Sequence, residues 1–407
     1  MTVRVNKSSF NIREKLSELG RKFGLKGSEL AAAETVQEAR EIVSAGRRNL
    51  IINGACMINQ RLGSSTYTLT STEAYYPVDR FRSWASGGGQ FTIQRSDNAP
   101  PGFKNSLMFT VSTADTSIAS GDYYVVQQRI EGFNCAHLNW GTNNAKPVTL
   151  SFWVKADVTG KYGISFWPSG QNYNYVTHYT INTADTWEYK TITVPGATGG
   201  TWLTNNGIGL GIWWDFGVGT NYSTATTETW GQNGKFAPSD TVQMIKTNGA
   251  KFRMTGIQLE VGNNATEFEH RSYGEELALC QRYFHGWNAT SSTLRAETGI
   301  KVYDSEGNSS VNQTTTIGTG SVVDADDARI EFSFPVTMRT KPTVTAGDLR
   351  LAVGSTLYNS TTTVQYDNST THHFSALIDN GGTMTPGQAA ILIIKGNGYF
   401  YLDAELT

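Results

Sequence analysis

Charge is scarce in this sequence: Asp, Glu, Lys and Arg make up 17% of its 407 residues, and the formal net charge is -2. Nucleic acid and anionic membrane are bound through concentrated positive charge, so this balance excludes both as partners of the chain as a whole. Cysteine is nearly absent. Cys56, Cys135 and Cys280 are odd in number and far apart, which excludes a disulfide framework and a CxxC metal site and reads as three reduced thiols in a chain made in a cytoplasm. Long apolar runs are missing as well. No stretch approaches the roughly 18 residues of a membrane span, and MTVRVNKSSFNIREKL has no apolar core of a signal peptide, so neither membrane insertion nor export by a cleaved signal is expected.

What is present is Gly (42 residues), aromatic side chains (11%) and a great deal of Thr, Ser and Asn. That mixture favours strands and turns over helical bundles, in a chain long enough for two or three domains. The charge that exists is concentrated in residues 1–48, which hold ten Lys or Arg and six Glu. Ile12, Leu16, Leu19 and Phe23 are spaced four, three and four apart, the stripe of a short amphipathic helix. Ala32, Val36, Ala39 and Val43 repeat the spacing, with Thr35 and Glu38 as a capping box and Gly46 as a stop. Two short stripes that cannot bury themselves predict a helical anchor and oligomerisation segment. A helical hairpin folded on its own β-domain is the alternative.

From NLIINGACMINQR onward the period switches to two. Phe152 and Val154 alternate with Ser151, Trp153 and Lys155, and Ile164 and Phe166 alternate with Ser165 and Trp167. In GIGLGIWWDFG, Ile208, Leu210, Ile212 and Trp214 share one face and Trp213 falls on the other. Strands of this length, divided by GGG, NAPPG, NNAKP, PSGQN and NNG, predict a jelly-roll β-sandwich over residues 49–270, closed by MTGIQLEVG. RSYGEELALCQRY then reads as a linking helix over 271–285, and residues 286–407 as a small C-terminal β-domain thinly supplied with core residues.

The chemistry-bearing letters point away from catalysis. His270, Cys280 and His285 lack the paired spacing and fourth ligand of a structural zinc site, and Cys280 reads as a buried apolar residue. Glu275 and Glu276 are adjacent, so on a helix they diverge by about 100° and serve its first turn, after Ser272 or Gly274 as cap. DADD at 324–327 reads as a solvated turn, although its oxygens could hold Ca²⁺. GNG (396–398) and GGG (87–89) read as turns. No catalytic residue, metal or cofactor is expected. The outward tryptophans Trp153, Trp167 and Trp213 need a cover or a partner, and with Asn172, Tyr173 and Tyr175 they form the candidate platform on which a sugar ring would stack.

NLIINGACMINQR, YPVDRFRSW, LSFWVKADVTGKYGISF, TWEYKTITVPG, MTGIQLEVGNNATEFEHRSYGEELALCQRYF and the terminal DAEL resemble, in that order, tail-fibre and adhesin-like structural proteins of tailed bacteriophages and prophages. The N-terminal text looks like the leader of such proteins in phages of marine and cyanobacterial hosts. The resemblance implies a virion protein, made in the host cytoplasm, with an N-terminal anchor, a jelly-roll similar to carbohydrate-binding modules and a C-terminal β-tip. It also implies a homotrimer, joined through residues 1–48 to other tail, neck or capsid proteins and touching host surface polysaccharide. Two alternatives stand beside it: an architectural neck, head-fibre or decoration protein, and a glycan depolymerase.

Overall fold

The structure, a computed structural model, describes residues 48–63, 65–70, 74–288, 315–354, 356–359, 364–365, 368–379 and 382–406. The anchor residues Ile12, Leu16, Leu19, Phe23, Val36 and Val43 lie outside the described residues.

In chain order the first strands are β1 (Tyr67–Leu69), β2 (Ala74–Val78), β3 (Phe81–Ser86), β4 (Gln90–Ser96), β5 (Ser106–Thr113) and β6 (Tyr123–Glu131), followed by the one-turn helix α1 (Gly132–Cys135). Then come β7 (Val148–Ala156), β8 (Gly160–Trp167), β9 (Tyr175–Ile181), β10 (Glu188–Val194), β11 (Ile208–Val218), β12 (Ser223–Thr224), β13 (Ala237–Pro238) and β14 (Lys251–Val261). Two six-stranded sheets result, ordered β1-β4-β5-β14-β7-β10 and β2-β3-β6-β11-β8-β9. The chain crosses repeatedly between them, the wrapping of a jelly-roll sandwich, and the mainly β reading stands.

Alternation explains the packing. Leu150, Phe152 and Val154 of β7 and Ile164 and Phe166 of β8 all enter the core between the sheets. Each such side chain removed from water contributes about 1.5–3 kcal/mol, and a slip of one residue would forfeit the whole set. In β11 the pattern breaks at both ends. Pairing shifts between Ile208 and Leu210 and again between Asp215 and Gly217, so Ile208 joins the outer-face cluster with Val218 while Leu210, Ile212, Trp214 and Phe216 stay inside. The expectation that Ile208 shares their face is corrected: a bulge adds a residue that strict alternation does not count. The closing strand β14 lies at the centre of its sheet, between β5 and β7. Its own bulge is at Gly256, with φ +62, where a side-chain carbon would meet the Phe103 ring at 2.7 Å.

NLIINGACMINQR is not a strand. Leu50, Ile51 and Cys56 are core residues, and Gln128 serves as the missing strand neighbour: Ile52 N donates to its Oε1 at 3.0 Å, and its Nε2 donates to Ile52 O at 3.0 Å. The linking helix α2 runs Tyr273–Gln281, shorter than the 271–285 expected, because β15 (Phe284–Asn288) begins at once and pairs with the last strand.

Beyond it lie β16 (Thr315–Val322), β17 (Asp327–Ser333), β18 (Thr343–Val353), β19 (Thr356–Asn359), β20 (Val364–Gln365), β21 (His373–Asp379) and β22 (Ala389–Asp403). They form one antiparallel sheet ordered β19-β18-β22-β16-β17-β21-β20, with β15 on the far half of β22. GNG lies inside β22 and is no turn. The sheet has its own core, which includes Trp287, Ile330, Phe374, Leu392 and Phe400.

Leu50–Thr407 is one compact unit, and the end of the chain shows why. Arg61 lies against the rings of Tyr76 and Phe284, at 4.1 and 3.5 Å, and reaches Asp403 at 3.3 Å and Glu405 at 3.5 Å. Arg80 pairs with Glu405, lies 3.6 Å over the Tyr283 ring and donates to Arg129 O. Arg129 in turn donates to Leu406 O at 2.7 Å, and Arg339 donates to the carbonyls of Ala404 and Glu405, both at 2.7 Å. The DAEL segment is thus gripped by arginines from both the sandwich and the C-terminal sheet.

Candidate functional site

The six candidate residues do not form one site. Trp153 is half-buried on the outer face of the first sheet, 5.3 Å from Tyr189 on the neighbouring strand. Trp167 and Trp213 do lie on the outer face of the second sheet, but they are 0% and 4% exposed. Residues 219–241 fold back over them as a tongue carrying Phe236, which stacks on Trp213 at 4.2 Å and meets Trp167 edge-on at 6.3 Å. The tongue is held by Asn174 Nδ2 donating to Lys235 O at 2.8 Å and by Thr241 Oγ1 donating to Asp215 at 3.0 Å. As a stacking platform Trp167 and Trp213 are therefore corrected: alternation identifies the face a residue takes and says nothing of what the chain later lays on it.

Tyr173 and Tyr175, with exposed Asn172 beside them, fall elsewhere, at the end of the sandwich where β6 and β8 stop and β9 and β11 begin. Here they meet three tryptophans that alternation does not single out. Trp140, Trp202 and Trp230 pack edge to face, with ring centroids 4.7, 5.2 and 5.6 Å apart. Tyr173 lies nearly parallel to Trp230, at 5.9 Å and 6°, and Tyr175 is 5.1 Å from it.

Each indole is fixed by its own N–H, Trp140 donating to Lys146 O at 2.7 Å, Trp202 to Gly199 O at 2.9 Å and Trp230 to Pro195 O at 2.9 Å. Trp202, Trp230 and Tyr173 are half-buried, so parts of their rings meet solvent. Gly200, at φ +82, lets its loop close on Tyr173, whose Cβ lies 2.8 Å from where a side chain would begin. Trp140 and Trp202 line a cleft of about 160 Å³ together with Leu138, Leu210, Thr142 and Thr204.

A signal for these residues was in the sequence. WGTN (140–143), WLTN (202–205) and WGQN (230–233) each place Thr or Gln two residues after the tryptophan and Asn three after it. All three sit in loop text, where no strand alternation calls for an aromatic.

Ser272 caps α2, its Oγ accepting from Glu275 N at 3.3 Å. Glu275 is exposed, whereas Glu276 is 3% exposed and accepts from Asn53 N at 2.6 Å and from Arg271 at 3.3 Å. For Glu276 the helix-terminus reading is incomplete, since its main role is to bind the buried 50s segment. Cys280 is buried among apolar residues, and burial holds its thiol well above the usual range. His270 packs against Phe103 and Phe268, and His285 stacks on Trp287 at 3.9 Å. Among the described residues no group of three His, Cys, Asp or Glu is placed to hold a metal. In DADD, Asp324 Oδ1 accepts from the backbone N–H of Asp326 and Asp327 at 2.9 and 2.8 Å, closing a turn.

No protein-family model matches the chain, and no curated protein matches it. Solved structures do, and three of them match over about half its length. One is the enzymatically active domain of tailspike protein 4 of bacteriophage CBA120, at 12% identity and TM-score 0.28, covering 53% of this chain and 21% of that one. The chain therefore spans about a fifth of that protein's length. Another is a family 11 carbohydrate-binding module from Clostridium thermocellum in complex with a mixed-linked tetrasaccharide, at 12% identity and TM-score 0.25, covering 52% of this chain and 99% of that one. A third is a putative sugar binding protein from Bacteroides thetaiotaomicron, at 11% identity and TM-score 0.29, covering 53% and 100%. Scores this low carry no argument, and the sandwich stands on its own strand order.

Proposed function

We propose that this protein is a structural, host-contacting protein of a tailed-phage appendage, held to the particle through residues 1–48 and touching surface glycan through the cleft lined by Trp140 and Trp202 and the Trp230 ring packed beside it. It works by binding and not by catalysis. The observation that carries this reading is the triad itself: three indoles, each anchored by a backbone carbonyl, of which Trp202 and Trp230 keep ring surface in solvent while Trp140 and Trp202 line a small cleft. Rigid aromatic surface beside Thr and Asn suits a ligand with apolar C–H faces and many hydroxyls. The phage context is supported by the resemblance of segments running from MTVRVNKSSF to DAEL. Repetition of a weak site around a homotrimer and around the particle would raise its avidity.

The test is binding of the full chain to a glycan array and to host polysaccharide, for wild type, Trp202→Ala and Trp230→Ala. Each variant is expected to weaken binding about tenfold or more, ~1.4 kcal/mol. Unchanged binding would move the site elsewhere, and an array without hits would favour an architectural protein with no host contact. Shortening of the polysaccharide during incubation would replace binding with depolymerisation. Light scattering of the full chain is expected to report a trimer, and a monomer mass would remove that part of the proposal.

A further inference from the structure

The cleft is small and uncharged, and both properties select its occupant. Its volume is about 160 Å³, and an apolar protein cavity of roughly 150 Å³ is filled by a single benzene ring. The enclosed space is therefore on the scale of one ring, and a run of several sugar units cannot be seated in it. The floor is closed, because β11 presses on α1 at Gly209, where a side-chain carbon would lie 2.3 Å from Cys135 Sγ and 2.9 Å from Leu203 O. A polymer cannot thread through such a site; it enters by an end or a branch.

None of the lining residues is Asp, Glu, Lys, Arg or His, and the polar side chains present are Asn139, Thr142 and Thr204. Glu131, immediately before α1, is already committed to Arg282 at 2.6 Å and to Tyr283 Oη at 2.7 Å. An ionised ligand would lose hydration here without meeting a counter-charge, which costs several kcal/mol per ion. A neutral ring can lay its C–H groups on Trp140 and Trp202 and keep its hydroxyls at the threonine and asparagine rim.

Resting on the glycan reading above, we propose that the cleft takes one uncharged sugar residue, the terminal or branching unit of a host glycan, and excludes acidic sugars and internal stretches of chain. The experiment is titration of the full chain, at low and high salt, with methyl glycosides of neutral hexoses, N-acetylglucosamine, glucuronic acid and a neutral oligosaccharide series of increasing length. At least one neutral monosaccharide is expected to bind independently of salt, with affinity within about threefold of its longer oligomers. Ala136→Phe, which places a ring in the mouth from an exposed position, is expected to cost about tenfold or more while leaving the melting temperature unchanged.

Tighter binding of glucuronic acid that salt weakens would overturn the uncharged assignment. Affinity that climbs steadily with chain length would overturn the single-residue one. If host polysaccharide binds but Ala136→Phe has no effect, the glycan reading survives and this cleft does not. If neither sugars nor host polysaccharide bind the wild type, the glycan reading fails with it.

Discussion

Asp215 sits on the outer face of β11 with no solvent contact, accepting from Gly217 N at 2.7 Å and from Thr241 Oγ1 at 3.0 Å. Burial pushes its carboxyl up to about 7, and those two hydrogen bonds only partly oppose the shift. An unfolded Asp ionises near 3.9, so between about pH 4 and pH 7 the folded chain keeps a proton that the unfolded chain has released. Stability therefore falls as pH rises across that window and levels off above it. Asp215→Asn, which keeps an acceptor for Gly217 and a polar partner for Thr241, is expected to be nearly neutral at pH 4 and stabilising by up to ~4 kcal/mol at pH 8. Melting temperatures at the two pH values check this, and an equal shift at both would show that Asp215 does not titrate in the fold. The residue types were legible, but this environment was not. Asp215 looks like any strand carboxylate until the tongue lies over it.

At the scale of elements, α2 shows how far local rules reach. An acidic first turn behind a cap at Ser272 or Gly274, of which the structure selects Ser272, follows from spacing alone, because capping involves groups three residues apart. The difference between Glu275 and Glu276 does not, since the partner of Glu276 is the Asn53 backbone, more than two hundred residues earlier. Ser272→Ala is expected to cost about 1 kcal/mol. Glu276→Ala, which leaves buried Arg271 without that carboxylate and Asn53 N–H without its acceptor, is expected to cost about 3–5 kcal/mol. Urea unfolding of both variants measures the ratio, and equal costs would mean that Glu276 acts only as a first-turn charge. The tongue teaches the same point on the side of the site. Alternation placed Trp167 and Trp213 outward correctly, yet Phe236 arrives from a loop whose path no period describes. Trp140, Trp202 and Trp230 escape strand alternation for a related reason: they are loop residues, brought together by the ends of β6, β8, β9 and β11.

For the whole molecule, the closing Asp403–Leu406 segment joins the sandwich to the C-terminal sheet. Removing one partner of a buried ion pair costs about 3–5 kcal/mol, and Glu405 is the shared partner of Arg61 and Arg80. Glu405→Ala is expected to lower the midpoint of unfolding and to separate one cooperative transition into two, sandwich and C-terminal sheet. Calorimetry with both calorimetric and van't Hoff enthalpies would reveal the split. A single undivided transition would show that the other arginine contacts suffice to couple the two parts.

The sequence by itself determined that the chain is mainly β, which side chains of β7 and β8 alternate into the sandwich core, and that the joint helix opens on an acidic first turn. Those properties depend on composition and on neighbours within a few residues. Only the tertiary structure decided which outward tryptophans are covered, which loop tryptophans meet, and that the last residues of the chain lock its two β-layered parts together. Those depend on contacts between residues tens to hundreds of positions apart, and periodicity carries no information about which distant segment comes to rest on a given face.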